Sequence, residues 1–591
     1  MIIPDCFGKL KSFASETNAA LSKLYPDFFG VRPETGEDRH PRTPLKAEKI
    51  IHDGVWGTHT FQWQELAIID SPILQRLRDL HQTGLAHLVY PSGRHTRFEH
   101  SLGTSIVASR VFRSLRDRRE KKLRQVVERV FTHRDWEDSL DALELEVRVA
   151  ALLHDSGHSL FSHTSESVYS QIPLISEATS ELSDFVGKDR SAGELLSFSI
   201  AQSQHLQNYV ARCGGRGVFK ENGAPEALSS NLDFDNISLL ILGRARDPRI
   251  QFLGDIISSG FDADKLDYLI RDAKTCGISI TYDLDRYLNF VDIYPEDVET
   301  KRGDLARLYQ DVLGMGPDAL NQQKLTTQNG IGFNRLKLPR KAITCVEQIL
   351  IAKFMLFSYI YHHPKVRAAE GLIERALAND FGLLGAPKIL STEQIVNQLL
   401  TTTDSMFLAR WQVPIEPGSI TTEASRRIYF RLLPRVVYSL GGQIGDPEEK
   451  EALGVFISLM KSPERRKIIA ELDLAIGECL CAMRPGMWGT PAEALLRTGT
   501  WVDAPRPLSF EDTEVLLPVS NPFEDRQSMN TLFPLSEWGN AYLSYVYRVR
   551  VYSYSENLAL VHAAAKEALK PRLKIYDDRF YDEKVKRERP W

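Results

Sequence analysis

Cysteine is scarce in this chain. The six residues Cys6, Cys213, Cys276, Cys345, Cys479 and Cys481 are scattered over 591 positions with no CxxC pair. That spacing excludes a disulfide framework or a zinc ribbon and favours a reducing, cytoplasmic setting. An excess of one charge is also missing: 73 Lys and Arg against 78 Asp and Glu leave a formal net charge of -5. Nucleic acid is therefore not indicated by any overall field, and a basic site has to be local. No uncharged apolar run is long enough to span a bilayer, and the opening MIIPDCFGKLKSF lacks the apolar segment and cleavage site of a secretory signal, so no membrane is expected. The most apolar helix candidate, from Ile343 to Tyr361, is interrupted by Glu347, Gln348 and Lys353 and reads as a core helix with polar visitors. Internal repeats are absent.

What is present is length and helical patterning. At 591 residues the chain is too long for one hydrophobic core, so two domains, or one large helical body with additions, are expected. Residues 31–47, rich in Pro and charge, read as a linker or extended arm, with the ordered body starting near Glu48. Two short strands are expected around the turn Asp53-Gly54, then a helix through Pro72–Leu77. After Pro91-Ser92-Gly93, Phe98, Leu102, Ile106 and Val107 recur at helical spacing, with Arg97, His100 and Thr104 on an adjoining stripe. A second helix, from Leu143, ends in His154-Asp155-Ser156-Gly157. Residues 164–235 look like polar, Ser- and Gly-rich connections. Helical pattern resumes at Leu239 and Ala263, and past residue 400 Pro-rich interruptions suggest a separate C-terminal lobe. The basic end KVKRERPW reads as a solvated terminus.

Histidines are the chemical signal. His154 and Asp155 stand together at a helix end, and His158 and His163 follow, giving four candidate ligands or acid/base groups within ten residues. Neutral imidazole with carboxylate, leaving positions open for water and substrate, suits a divalent cation. His100 and Asp264 are the best candidates to complete the set. Asp264, Tyr268 and Asp272 recur every four residues and share one helix face, which packing alone explains poorly. Any one of these residues alone is more often a helix cap or a satisfied core residue.

The runs DGVWG, IIDSPILQRLRDLHQTG, YPSGRHTRFEHSLGT, LLHDSGHSLFSH and FDADKLDYLIRDAKTCGI, in this order over about residues 46–370, resemble the HD-domain deoxynucleoside triphosphate triphosphohydrolases. The resemblance implies a mainly α fold with small β elements. Together with the composition breaks it divides the chain into an N-terminal arm or linker (1–45), an HD core (46–290), a helical extension completing the active site (291–400) and a mostly helical C-terminal lobe of unknown role (401–591). Residue by residue it implies a divalent metal (Mn, Mg, Fe or Zn) on His100, His154, Asp155 and Asp264. It implies catalytic roles for His158, His163, Glu194 and Tyr268, and substrate contacts from Gln82, Arg97, Lys265, Asp272, Lys353 and Tyr361. Arg97 is expected to meet the substrate's phosphate and not a protein carboxylate. Where the family carries His-Glu, this chain has Gly193-Glu194, so one histidine of the expected network is missing. The residue after the sugar-reading Gln82 is Thr83, where the family usually has a bulky apolar side chain.

The implied reaction is hydrolysis of a deoxynucleoside triphosphate to deoxynucleoside and inorganic triphosphate, with a nucleotide effector and a homo-oligomer as implied partners. The alternatives are an HD-domain nucleotidase or phosphodiesterase, or a non-catalytic nucleotide sensor.

Overall fold

The computed structural model describes residues 2–29, 46–133, 135–215, 230–296, 298–299, 324–325, 333–383, 390–412, 419–441, 456–462, 464–507 and 546–573, with a few isolated positions besides. The chain is mainly helical, with small antiparallel sheets. It divides into two compact units, residues 1–353, 376–413 and 515–526 forming the first and 354–375, 414–514 and 527–591 the second. The division follows neither the 291–400 nor the 401–591 boundary expected from sequence.

The first unit opens with helix α1 (Gly8–Leu24), whose Leu10, Phe13, Ala14, Ala20 and Leu21 are buried against Pro173–Val186 and Ala192–Ala201. Residues 8–24 of the expected arm are therefore part of the folded body, because their apolar positions repeat at helical spacing. Residues 30–45 of that arm lie outside the described residues, as do the basic end of the chain and much of CGGRGVFKENGAP. The expected hairpin is present as β1 (Glu48–Asp53) paired with β2 (Gly57–Gln62). Helix α2 (Trp63–Ile69) follows at once, because Gln62 and Glu65 form a capping box.

Three helices carry the core of this unit. Helix α3 (Arg97–Arg118) starts in the Thr96/Glu99 capping box and packs on α4 (Trp136–Leu153) and on α7 (Ala263–Cys276). Between α4 and α7 lie α5 (His163–Tyr169) and α6 (Ala192–Ala201), within a segment that also holds helices Pro173–Val186 and Gln204–Gly215. The stretch expected to be loop-like is thus largely helical wherever it is described. Its serines serve as caps and as donors to preceding carbonyls, as Ser191 and Ser199 do, and do not break the helices. Helix α8 (Ile343–Leu356) continues as a π turn, Phe357–Tyr361. By length and mean hydropathy this stretch would suffice to cross a membrane; Cys345, Val346, Ile349 and Leu350 are buried in the fold, whereas Ile351 and Tyr359 are exposed. Helix α9 (Asp404–Leu408) also belongs to the first unit.

The second unit is built on a three-stranded antiparallel sheet in which Val549–Ser553 lies between Arg435–Leu440 and Trp501–Asp503. Helices α10 (Arg465–Met483) and α11 (Leu558–Leu573) pack together beside it. Inside, Arg367 is ion-paired to both Asp503 and Glu370.

Candidate metal and nucleotide site

Four side chains expected to hold a metal arrive from three helices. His100 lies one turn into α3, His154 and Asp155 follow the last residue of α4, and Asp264 is in the first turn of α7. His100 Nε2 is 3.0 Å from Asp264 Oδ1 and 3.6 Å from Asp155 Oδ2, and His154 Nε2 is 3.3 Å from Asp155 Oδ1. One donor atom each from His100, His154 and Asp264 fit within 4.8 Å of one another.

The turn that ends α4 is held by Ser156, whose Oγ donates to the Leu153 carbonyl, and by Ser197, which donates to the His154 carbonyl and accepts from the Gly157 amide. Gly157 sits so close to α6 that a Cβ there would overlap the Gly193 carbonyl and the Ser197 amide.

The set fits a divalent cation on two observations. His154 Nδ1 bonds the Ala151 carbonyl at 2.7 Å, which fixes the tautomer that leaves an Nε2 lone pair, and that Nε2 is buried without a hydrogen bond. His100 Nδ1 meets Asp267 Oδ2 at 2.7 Å, so its Nε2 is the outward nitrogen. Asp267 is itself held by the Trp56 indole and by Arg271 at 2.7 and 2.9 Å, and Arg271 pairs with Asp53 at 2.9 Å. The DGVWG hairpin thus supports the candidate metal ligand His100 through Asp267. Gly103 permits it, since a Cβ there would overlap both Arg271 and Asp267.

Electrostatics point the same way. Burial opposes the charge of Asp264, but the His100 hydrogen bond brings its carboxyl down to about 2. Burial likewise opposes the charge of Asp155, yet Arg97, then His154 and His158, hold it well below the usual carboxylate range. His100 is raised to about 10 against its own burial by Asp264 and Asp267. A field that retains a proton on a buried imidazole attracts a cation equally.

Beside this cluster stands a second one. His158 Nε2 is 3.2 Å from Asp155 Oδ1, and Glu166 reaches both histidines, with Oε1 3.2 Å from His158 Nδ1 and Oε2 2.9 Å from His163 Nδ1. Burial, and then Arg97, push His158 below the ordinary imidazole value. For His163 desolvation acts against the proton, but the Glu166 hydrogen bond and charge prevail and raise it. Its ring is 78% exposed, so water screens part of that effect.

Arg97 is a correction to the sequence reading. Its Nη1 pairs with the Asp155 carboxylate and its Nε donates to Ser162 Oγ at 2.9 Å, so its first partners are in the protein. Only its buried Nη2 has no hydrogen-bond partner. Gln82 Oε1 and Thr83 Oγ1 are likewise buried without partners. Polar atoms left this way call for a ligand or water.

Other expected residues are engaged elsewhere. Glu194 completes the capping box with Ser191 and accepts from Arg190 Nη1 at 2.7 Å, so it anchors the start of α6 and is not brought to the histidines. Its position three residues after Ser191 is the physical reason. Lys265 donates to Asp262 at 2.7 Å and to the Ser259 carbonyl at 2.8 Å. Asp272 accepts from His95 Nε2 at 2.7 Å. Tyr268 lies one turn after Asp264, and burial, then Asp264, raise its phenol well above the usual value. Lys353 is on α8, and Tyr361, in the π turn, belongs to the second unit.

No protein-family model matches the chain. An uncharacterized protein of Methanocaldococcus jannaschii is 28% identical over 333 residues, covering 56% of this chain and 50% of that protein. The deoxynucleoside triphosphate triphosphohydrolase SAMHD1 of Bos taurus is 30% identical over 276 residues, 44% of this chain and 42% of that enzyme. A putative HD domain-containing protein of Acanthamoeba polyphaga mimivirus is 23% identical, over 68% of this chain and 76% of that protein. Over part of its length the chain is similar to deoxynucleoside triphosphate triphosphohydrolases and to an HD domain-containing protein. It spans half or less of the length of the first two of these proteins.

Gly193, where the resemblance leads to the expectation of a histidine, has a structural role of its own. Gly193 is the only residue that leaves room for Glu166, because a Cβ there would overlap Glu166 Oε1 and come within 3.1 Å of His158 Cε1. The Gly193 amide also donates to that oxygen at 3.2 Å. Glu166 was missed from sequence. Its spacing of three from His163 on one helix was the available signal.

Proposed function

We propose that the protein hydrolyses deoxynucleoside triphosphates to deoxynucleoside and inorganic triphosphate, using one divalent cation. The observation that carries this reading is the convergence of His100, His154, Asp155 and Asp264, with Arg97 paired to Asp155 and its Nη2 unpartnered. A divalent cation on the four ligands would supply Lewis acidity for attack of water on the α-phosphorus. Arg97 Nη2 is directed to a phosphate oxygen, with Arg97 itself oriented by Asp155 and Ser162. Gln82 and Thr83 face the sugar. His163 gives its proton to the departing 5′ oxygen, and Glu166 holds that imidazole in its protonated state. On the family resemblance alone, Lys265 and Lys353 enter as further phosphate contacts, Asp272 and Tyr361 as further substrate contacts and Tyr268 as an active-site tyrosine. A nucleotide effector and a homo-oligomer rest on the same ground.

The test is incubation of the protein with each deoxynucleoside triphosphate, singly and in mixture, with Mn²⁺ or Mg²⁺ and chromatographic product analysis. Tripolyphosphate with deoxynucleoside is the expected pair. Release of monophosphate or pyrophosphate would make the protein a different phosphohydrolase, and no turnover would leave a nucleotide-binding protein.

A further inference from the structure

Two loops deliver the proposed chemistry, one carrying His81, Gln82 and Thr83 and the other running from His158 to His163. Both are tied to one carboxylate that lies more than 200 residues further along the chain. Asp404, 1% exposed at the start of α9, accepts from the His81 amide at 2.9 Å and from His81 Nδ1 at 2.8 Å through Oδ2. Its Oδ1 accepts from the Phe161 amide at 2.6 Å. Three donors converge on two oxygens, with no cation from Lys or Arg among them.

The held backbone is an unusual one. Phe161 and Ser162 have φ of 51° and 56°, the left-handed region that side chains other than glycine seldom adopt. Such a conformation persists only where its surroundings impose it. Here the Asp404 hydrogen bond fixes Phe161 from one side, and the ring of Phe407, three residues beyond Asp404, meets the Phe161 ring edge-on at 5.6 Å. The outcome is chemical. Ser162, so turned, donates to the His81 carbonyl at 2.7 Å and accepts from Arg97 Nε, and His163 emerges as the first residue of α5.

We propose that Asp404 is a positioning residue that locks the sugar-reading loop and the histidine loop into one rigid unit, so that sugar selection and proton delivery depend on it together. This rests on the function proposed above. Removal of the carboxylate loosens both loops at once, because the Ser162 hydrogen bond to the His81 carbonyl, which also joins them, depends on the backbone at Phe161 that Asp404 holds.

Asp404→Asn and Asp404→Ala in the full chain test this, compared with wild type by peptide-level hydrogen exchange, metal content and kinetics. Exchange is expected to rise together in peptides covering 81–83 and 160–163, with bound metal unchanged. The kcat should fall on the order of a hundredfold, as for a misplaced reacting group. The ratio of catalytic efficiency for deoxyribo- over ribonucleoside triphosphate should fall too, which a general loss of stability would not produce. The Asn variant keeps one acceptor and the size of the side chain, and serves if the Ala variant does not fold. Unchanged exchange in either loop overturns the proposal, as does a drop in kcat with the sugar ratio intact. If the wild type turns over no deoxynucleotide, the proposed function fails, and the clamp is then judged on exchange alone.

Discussion

The carboxylate of Glu166 occupies the space that a side chain at position 193 would fill. The relation is reciprocal, since Gly193 also donates its amide to the same oxygen. Gly193→Ala should therefore displace Glu166 from His158 and His163 and lower kcat more than it alters KM, by roughly tenfold or more as a lost acid/base alignment would. Combining Gly193→His with Glu166→Ala should recover part of the rate, because an imidazole then enters the vacated space. A Gly193→Ala enzyme with wild-type kcat would show that Glu166 has no part in turnover.

Glu166 also governs pH dependence. Because it raises His163, the basic limb of the kcat profile, where the acid loses its proton, should move to lower pH in Glu166→Gln. Stability follows a separate sign. Burial opposes the charge of Glu166, but His158 and His163 bring it down to about 2 from the ordinary 4.5. Its contribution is thus complete above pH 4.5 and is lost as pH falls toward 2. The difference in Tm between wild type and Glu166→Gln should accordingly shrink as pH is lowered through that window, and a difference that grows would contradict the assignment.

Replacing His154 and Asp155 together with Ala should abolish both metal retention and turnover, since an open site with four protein ligands cannot lose two and keep its cation. Elemental analysis of the purified variant reads the first and product analysis the second. Near wild-type metal content in the double variant would place the cation elsewhere.

Arg97→Ala is expected to cost folding as well as activity. The ion pair with Asp155 is buried, and breaking such a pair leaves an uncompensated charge worth about 3–5 kcal/mol. Arg97→Lys retains a charge for Asp155 but loses the fork that carries Nη2, so its Tm should lie above that of Arg97→Ala while its catalytic efficiency stays low. Full activity in Arg97→Lys would mean that Nη2 meets no phosphate.

Sugar choice provides the riskiest test. Gln82→Ala should cost about 1–3 kcal/mol in catalytic efficiency if its buried oxygen and amide serve a sugar hydroxyl. Thr83 is buried with an unpartnered hydroxyl that can accommodate an extra ribose oxygen, so Thr83→Leu should sharpen rejection of ribonucleotides. An unchanged ribo/deoxyribo efficiency ratio in Thr83→Leu would move sugar selection to other residues.

The sequence by itself nominated the four candidate metal ligands and showed the helices that present them. His154 and Asp155 are adjacent, and Asp264 opens a helix, so local pattern and ligand chemistry point to them, while His100, on the polar stripe of an apolar-periodic helix, rests chiefly on the family resemblance. The β1–β2 hairpin was legible for the same reason, its turn being coded by neighbouring residues. Only the tertiary structure decided which partners those residues keep. That Arg97 first meets Asp155 and that Glu166 stands in the gap left by Gly193 are contacts between segments distant in sequence. Asp404 is the extreme case, a buried acid in a stretch expected to belong to another lobe, with its three donors some 240 to 320 residues away. Periodicity reports which face of an element is apolar. It carries no information on which remote donor a buried carboxylate will find, because that is settled by packing of whole helices and by the cost of leaving any buried polar atom unpaired.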